Sequence, residues 1–173
     1  HSGPPVRVAN STLLFDHVCL TDHAGKNMDA GAGTDLTFRQ CLLARSVMGP
    51  EIAGTALRFE DGWITDMHAA DDADGIYIHD QLAGQQCVIR RSVIARMDDD
   101  GVDTLGSEIR IEDSIIRDCR DKGVSIYGGR TEIDRCLIVA NNTAPEDPTV
   151  ASVAAKAYDG SDAVVDIDHT TIV

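Results

Sequence analysis

Apolar and polar residues follow an eleven-residue pattern that returns along the whole chain. In Ile109-Arg-Ile111-Glu-Asp-Ser114-Ile-Ile116-Arg-Asp-Cys119, positions one, three, six, eight and eleven are small or apolar. The same pattern starts at Leu13, Leu36, Leu57, Cys87, Ile109, Thr131 and Val165, at intervals of 23, 21, 30, 22, 22 and 34 residues. Aligned by column, the repeats sort large from small. Column three reads Phe15, Phe38, Phe59, Ile89, Ile111, Ile133, Ile167 and holds every Phe of the protein. Column eight is Leu20, Leu43, Ile64, Ile94, Ile116, Ile138, Ile172, whereas column six is Val18, Cys41, Gly62, Ser92, Ser114, Cys136, Thr170. A small residue in column six predicts a tight corner between two strands.

A second segment follows the template. Gly75-Ile-Tyr-Ile-His, Gly101-Val-Asp-Thr-Leu and Gly123-Val-Ser-Ile-Tyr each open with Gly and then alternate. The alternation points Ile76, Ile78, Val102, Thr104, Val124 and Ile126 inward, and Tyr77, Asp103 and Ser125 outward, one above another. Each Gly follows polar residues, which predicts a turn at positive φ. A unit of about 22 residues with three short alternating strands cannot bury its apolar face alone, but stacked units can, with strands about 4.8 Å apart. The fold expected is therefore all-β: a single-stranded parallel β-helix of about seven rungs over residues 5–173. Residues 1–4 read as a cloning remnant or linker. Leucine-rich repeats lack support because their signature is missing. No amphipathic helix of ten or more residues is present to build an α/β fold. The Ala-rich stretch from Thr149 to Tyr158 fits a short helix or the third strand of its rung. The last template stops at Val173 before its third strand, and the first has little before it. Open rungs expose edges and core, so the chain is expected to be a segment of a longer solenoid or to associate end to end.

Two outward columns alternate in sign. Column ten reads Asp22, Arg45, Asp66, Arg96, Asp118; column four reads Asp16, Arg39, Glu60, Arg90, Glu112. Neighbouring rungs then pair opposite charges, each pair contributing about 0.2–1 kcal/mol, and a slipped rung would set like charges together.

Composition narrows the partners. The 173 residues carry 15 Lys and Arg against 29 Asp and Glu, a net charge of −14, and 23 of the acids are Asp. That balance excludes nucleic acid, which needs clustered cations, and docking on an anionic membrane. No apolar run is long enough to insert into a bilayer. The five Cys form no CxxC or CxH cluster, so zinc is not expected; four of them fall on inward columns and read as small buried hydrophobes.

The pattern I-x-I-x-x-S-x-I-x-x-C, with turns such as Asp121-Lys122-Gly123-Val-Ser, resembles the right-handed parallel β-helix repeats of the pectin-lyase-like superfamily over nearly the whole chain. The resemblance implies the right hand, a secreted or cell-surface location, and a polysaccharide partner. Members include lyases, epimerases, glycoside hydrolases and proteins without activity. The G-H-G and R-I-K motifs of polygalacturonases are absent.

Reactive groups concentrate before the repeated Gly: Asp71, Asp72 and Asp74 on one rung, Asp98, Asp99 and Asp100 on the next, and Arg120, Asp121 and Lys122 on the third. Stacking predicts Asp74, Asp100 and Lys122 directly above one another. A four-residue insertion, His68 to Asp71, bulges beside them. Carboxylates about 4.8 Å apart repel strongly, and Ca²⁺, which takes six to eight oxygens, relieves that repulsion. The expected ligands are Asp98, Asp100 and Asp103, completed by Asp74 or Asp121. In lyases of the resembled fold, Ca²⁺ neutralises a uronate carboxylate and a basic residue removes the adjacent proton. That role would fall to Lys122, with Asp100 beside it, although neighbouring Asp raises rather than lowers a Lys pKa. A hydrolase version would draw a carboxylate pair from Asp74, Asp100 and Asp103. Tyr77, His79 and Tyr127 are the candidate sugar-stacking rings, and Trp63 a lone platform or rim residue. The function expected is an extracellular carbohydrate-active or carbohydrate-binding β-helix with an acidic, calcium-binding patch. The alternative is a structural or adhesive solenoid segment without catalysis.

Overall fold

The computed structural model describes residues 3–70, 72–143 and 151–173. Its strands form three parallel seven-stranded sheets. Sheet A holds Arg7–Val8, Lys26–Ala30, Met48–Ala53, Ile76–His79, Val102–Leu105, Val124–Tyr127 and Val153–Lys156. Sheet B holds Thr12–Asp16, Thr34–Arg39, Thr55–Glu60, Cys87–Arg90, Ile109–Glu112, Gly129–Asp134 and Ala163–Asp168. Sheet C holds Cys19–Thr21, Leu42–Ser46, Trp63–Met67, Val93–Met97, Ile115–Arg117, Leu137–Val139 and Thr171–Ile172. The chain visits A, B and C in turn and adds one strand to each per circuit, which makes a β-solenoid of about six turns. The Ala-rich stretch supplies a strand, Val153–Lys156, rather than a helix; its first two residues, 149 and 150, lie outside the described residues, as do 1, 2 and Asp71. Among the described residues no helix is long and apolar enough to cross a membrane.

The register follows the columns without a slip. Leu13, Leu36, Leu57, Cys87, Ile109, Thr131 and Val165 pair in succession, as do the residues of column three. Inside, Phe38 lies 5.1 Å from Phe15, stacked, and 5.7 Å from Phe59, tilted. Such offset aromatic contacts add to the area they bury. The Ile columns continue this core, and Ile64, Ile89, Ile94, Ile111, Ile116 and Ile138 have no exposure. Cys41, Cys87, Cys119 and Cys136 are buried and Cys19 is exposed, as their columns require.

The corners carry a feature absent from the sequence pattern. Column five (His17, Gln40, Asp61, Arg91, Asp113, Arg135, His169) has φ between 45° and 57° throughout. Column ten repeats this at Asp22, Arg45, Asp66, Arg96, Asp118 and Ala140. One left-handed residue turns the chain from sheet B into sheet C, and a second turns it out of sheet C. Bonding reverses across the first corner. Asp61, Arg91 and Asp113 donate their N–H to the following rung, whereas Trp63, Val93 and Ile115 donate to the preceding one. The small side chains of column six close the inside: Ser92 and Ser114 hydroxyls each donate to the carbonyl two residues back at 2.8 Å, and Ser114 Oγ accepts the Ser92 N–H at 3.1 Å.

The glycines that open the sheet A strands need a different explanation from the one their sequence setting suggests. Gly75, Gly101 and Gly123 are not among the positive-φ residues. They stand in a stack where backbones nearly touch: a Cβ on Gly75 would lie 2.4 Å from the Gly101 carbonyl oxygen, and one on Gly101 would lie 2.6 Å from that of Gly123. Close approach, not turn geometry, demands Gly there.

The longest interval before Cys87 divides between two loops. One is the stretch after Met67 that contains the predicted bulge. The other, residues 80–86, is stapled to both neighbouring rungs by side-chain amides. Gln81 Oε1 accepts the Glu108 N–H at 2.6 Å while its Nε2 donates to the Glu108 carbonyl at 3.0 Å. Gln85 Nε2 donates to the Gly54 carbonyl at 2.8 Å.

Candidate functional site

The acidic corner lies where the chain leaves sheet C and enters sheet A. Asp74, Asp100 and Lys122 each precede a stacked Gly, so the repeat places them one above another. Asp74 Oδ1 accepts the Asp100 N–H at 3.1 Å, and Asp100 Oδ1 accepts the Lys122 N–H at 2.8 Å. Each carboxylate thus caps the backbone of the next rung. Both Asp are 5% exposed.

Two further carboxylates join them. Ligand oxygens of Asp74, Asp99 and Asp100 lie within 4.8 Å of one another. At that distance two negative charges repel by about 3.5 kcal/mol at an effective dielectric of about 20. Burial, then the charges of Asp103, Asp100 and Asp99, push the Asp74 carboxyl up to about 9. Burial pushes Asp100 up to about 6, with Lys122 opposing. Asp103, in register between Tyr77 and Ser125, is also raised by burial. Buried oxygens Oδ1 of Asp103 and Oδ1 of Asp121 have no hydrogen-bond partner.

The remaining predicted residues divide. Asp98 turns away from the group and pairs with His68 Nδ1 at 3.2 Å. Asp99 takes the place expected of Asp98, which residue identity in a run of three Asp could not reveal. Lys122 Nζ sits 2.5 Å from Asp121 and 3.4 Å from Asp100. Burial by itself would lower its pKa, but the Asp121 hydrogen bond and the Asp100 charge outweigh that and raise it. This direction is opposite to what a proton-abstracting Lys needs.

On sheet A, the Tyr77 and His79 rings stack at 4.7 Å. His79 Nε2 lies 3.2 Å from Glu51 and Nδ1 2.9 Å from Asp80, which fix the ring. Tyr127 shares the His79 column but is separated from it by Leu105, and Lys156 Nζ lies 3.8 Å from its ring centroid. The three rings therefore face one sheet without forming a continuous platform. A cavity of about 450 Å³ lies against this end of the sheet, lined by Asp121, Lys122, Ser125, Ile126, Tyr127, Ala154, Ala155 and Lys156.

A second carboxylate–imidazole group, Asp134, Asp168 and His169, lies at the end of sheet B. Arg135 pairs there with Asp134, and His169 lies 3.4 Å from Asp134 and 3.2 Å from Asp168.

A family model described as a right handed beta helix region matches residues 6–171. No curated protein and no solved structure is significantly similar to the chain.

Proposed function

Since the chain belongs to the right-handed β-helix family, we propose that it is an extracellular carbohydrate-binding β-helix whose acidic corner takes up Ca²⁺. The observation that carries this reading is the convergence of Asp74, Asp99 and Asp100 within 4.8 Å, beside an Asp103 oxygen that is buried without a partner. These four carboxylates, with Asp121 beyond Lys122, offer the hard oxygens that Ca²⁺ prefers. A bound cation would offset their repulsion and present positive charge to sugar hydroxyls or a uronate. Tyr77, His79 and Tyr127 supply ring faces nearby. At a net charge of −14, a neutral glycan or one bridged by the cation is favoured over a free polyanion.

The same site suits binding better than lyase or epimerase chemistry. Lys122, the base that chemistry would use, is held protonated by Asp121 and Asp100. The structural reading has its own support, because Asp74 and Asp100 both cap backbone N–H groups of the next rung.

Glycan binding measured in Ca²⁺ and in EDTA separates these readings. The proposal expects oligosaccharide binding that EDTA abolishes and Asp103→Asn weakens at least tenfold without lowering the melting temperature. Cation uptake with no binding across neutral and uronate oligosaccharides would leave the structural reading. Formation of an unsaturated uronate product, read by its absorbance, would reinstate the lyase.

A further inference from the structure

Sheet C turns a line of apolar side chains to solvent. Leu42, Trp63, Val93, Ile115 and Leu137 succeed one another in register on its outer face. Trp63 is 49% exposed, Ile115 36% and Leu137 37%. Five consecutive rungs give a stripe about 19 Å long. Single exposed apolar residues are ordinary, but a contiguous row marks an interaction surface.

The stripe is framed on both sides by the charged corner residues. On one side Arg91 pairs with Asp61 at 2.7 Å and Arg135 with Asp113 at 2.7 Å. On the other, Arg45 pairs with Asp22 at 2.7 Å and Arg96 with Asp66 at 2.6 Å. Sign alternates on both borders across the rungs of Trp63, Val93 and Ile115; on the Leu42 rung one border holds the neutral Gln40, and on the Leu137 rung the other holds Ala140. The two borders also carry the same sign on the same rung: Asp61 with Asp66, Arg91 with Arg96, Asp113 with Asp118.

This arrangement selects its partner. Two copies laid face to face with parallel axes and related by a two-fold would bring one border against the other on the same rung, so that like charges meet; a one-rung offset would pair opposite charges but would not close into a dimer. Turning one copy end for end lays each border against itself with the rungs reversed. With the two-fold axis between the rungs of Trp63 and Val93, Asp61 meets Arg91, Asp66 meets Arg96 and Arg45 meets Asp118. The same operation sets Trp63 on Val93 and Leu42 on Ile115.

We propose that the sheet C face docks a second copy of this chain, antiparallel, through the Leu42–Leu137 stripe. An alternating ladder is complementary to its own reverse, and a two-fold interface requires that property. The dimer is expected to be weak, with dissociation on the order of 10–100 µM.

Sedimentation across a concentration series tests this, with Trp63 emission as a second readout, because it is the only Trp of the chain. The expected result is a monomer–dimer equilibrium with a blue shift of Trp63 on association. Ile115→Lys and Trp63→Lys should each weaken it at least tenfold while melting like the parent protein. In a Cys19→Ser background, Leu42→Cys mixed with Ile115→Cys should give a crosslinked pair, and Leu42→Cys alone should not. A monomer at every concentration, or a dimer indifferent to both Lys variants, would overturn the proposal. Self-crosslinking of Leu42→Cys would do the same, as would Trp63 emission that responds to oligosaccharide but not to protein concentration.

Discussion

The solenoid turns its corners in two ways, and the same stacking has opposite electrostatic consequences in each. At the left-handed corners flanking sheet C, Asp and Arg alternate along the axis. Hydrogen bonds from Arg96, Arg91 and Arg135 hold Asp66, Asp61 and Asp113 below the ordinary carboxylate range. At the glycine corner entering sheet A, Asp stacks on Asp, burial removes water, and Asp74 and Asp100 are driven upward. The first corner uses charge to set register. The second gathers carboxylates in a buried setting that raises Asp74 and Asp100, which is why it is the candidate site.

Removing a carboxylate should therefore cost very different amounts at the two corners. Asp100→Ala leaves the Lys122 N–H without its acceptor and the Lys122 ammonium short of a partner in a buried setting. Urea unfolding at pH 5, below the raised Asp100 pKa, should show a loss of about 3 kcal/mol. If Asp100→Ala unfolds like the parent protein, the acidic corner is no more coupled than an exposed ladder pair and the contrast disappears.

The glycine stack gives the next effect. Gly101→Ala puts a methyl 2.6 Å from the Gly123 carbonyl oxygen and 2.8 Å from Ile116 Cγ2. The rungs must part, at a cost of about 1–3 kcal/mol. Arg91→Ala, at a left-handed corner, should cost less, since the residue is already in that conformation and loses mainly an exposed pair. Equal losses would contradict the view that close approach, rather than corner formation, fixes Gly101.

Acidity separates the corners by sign. The folded state holds the Asp74 and Asp100 protons more tightly than the unfolded chain, so stability is highest below the ordinary value of 3.8. It falls as pH rises, through about 6 for Asp100 and about 9 for Asp74. The ladder carboxylates do the reverse: their contribution is present above 3.8 and is lost as pH falls, with Asp22 lowered to about 2. Without divalent cations, the melting temperature should peak near the ordinary carboxylate pKa and decline toward alkaline pH. Asp74→Asn keeps the acceptor for the Asp100 N–H, so it should flatten the alkaline decline and leave the acid limb unchanged. An unchanged alkaline limb would show that Asp74 is ionised at no cost. The smallest effect is Arg96→Ala, about 0.5 kcal/mol and diminished by salt.

Much of this contrast was legible before folding. Seven repeats with separate large and small columns predict the sheets, the register and the stacking of Asp74, Asp100 and Lys122. Sign alternation in columns four and ten predicts the pairs of Arg39 with Asp16, Arg45 with Asp22, Arg90 with Glu60 and Arg96 with Asp66. The left-handed corners were not legible, because His17, Gln40, Arg91 and Arg135 share no turn chemistry. Their conformation is imposed by the bonding reversal between rungs. Nor could a run of three Asp say that Asp98 swings to His68 while Asp99 joins the cluster, since that depends on the path of a single turn. The glycines were visible, but their cause lies between rungs far apart in sequence.

Cation uptake at the acidic corner is read by a thermal melt at neutral pH in Ca²⁺ against EDTA, for the parent protein and Asp100→Asn. A ligand at about 100 times its dissociation constant stabilises the folded state by about 2.7 kcal/mol. A Ca²⁺ site there gives a clear upward shift of the parent midpoint in Ca²⁺ that Asp100→Asn largely removes. Coincident melts of the parent protein in Ca²⁺ and EDTA would contradict it.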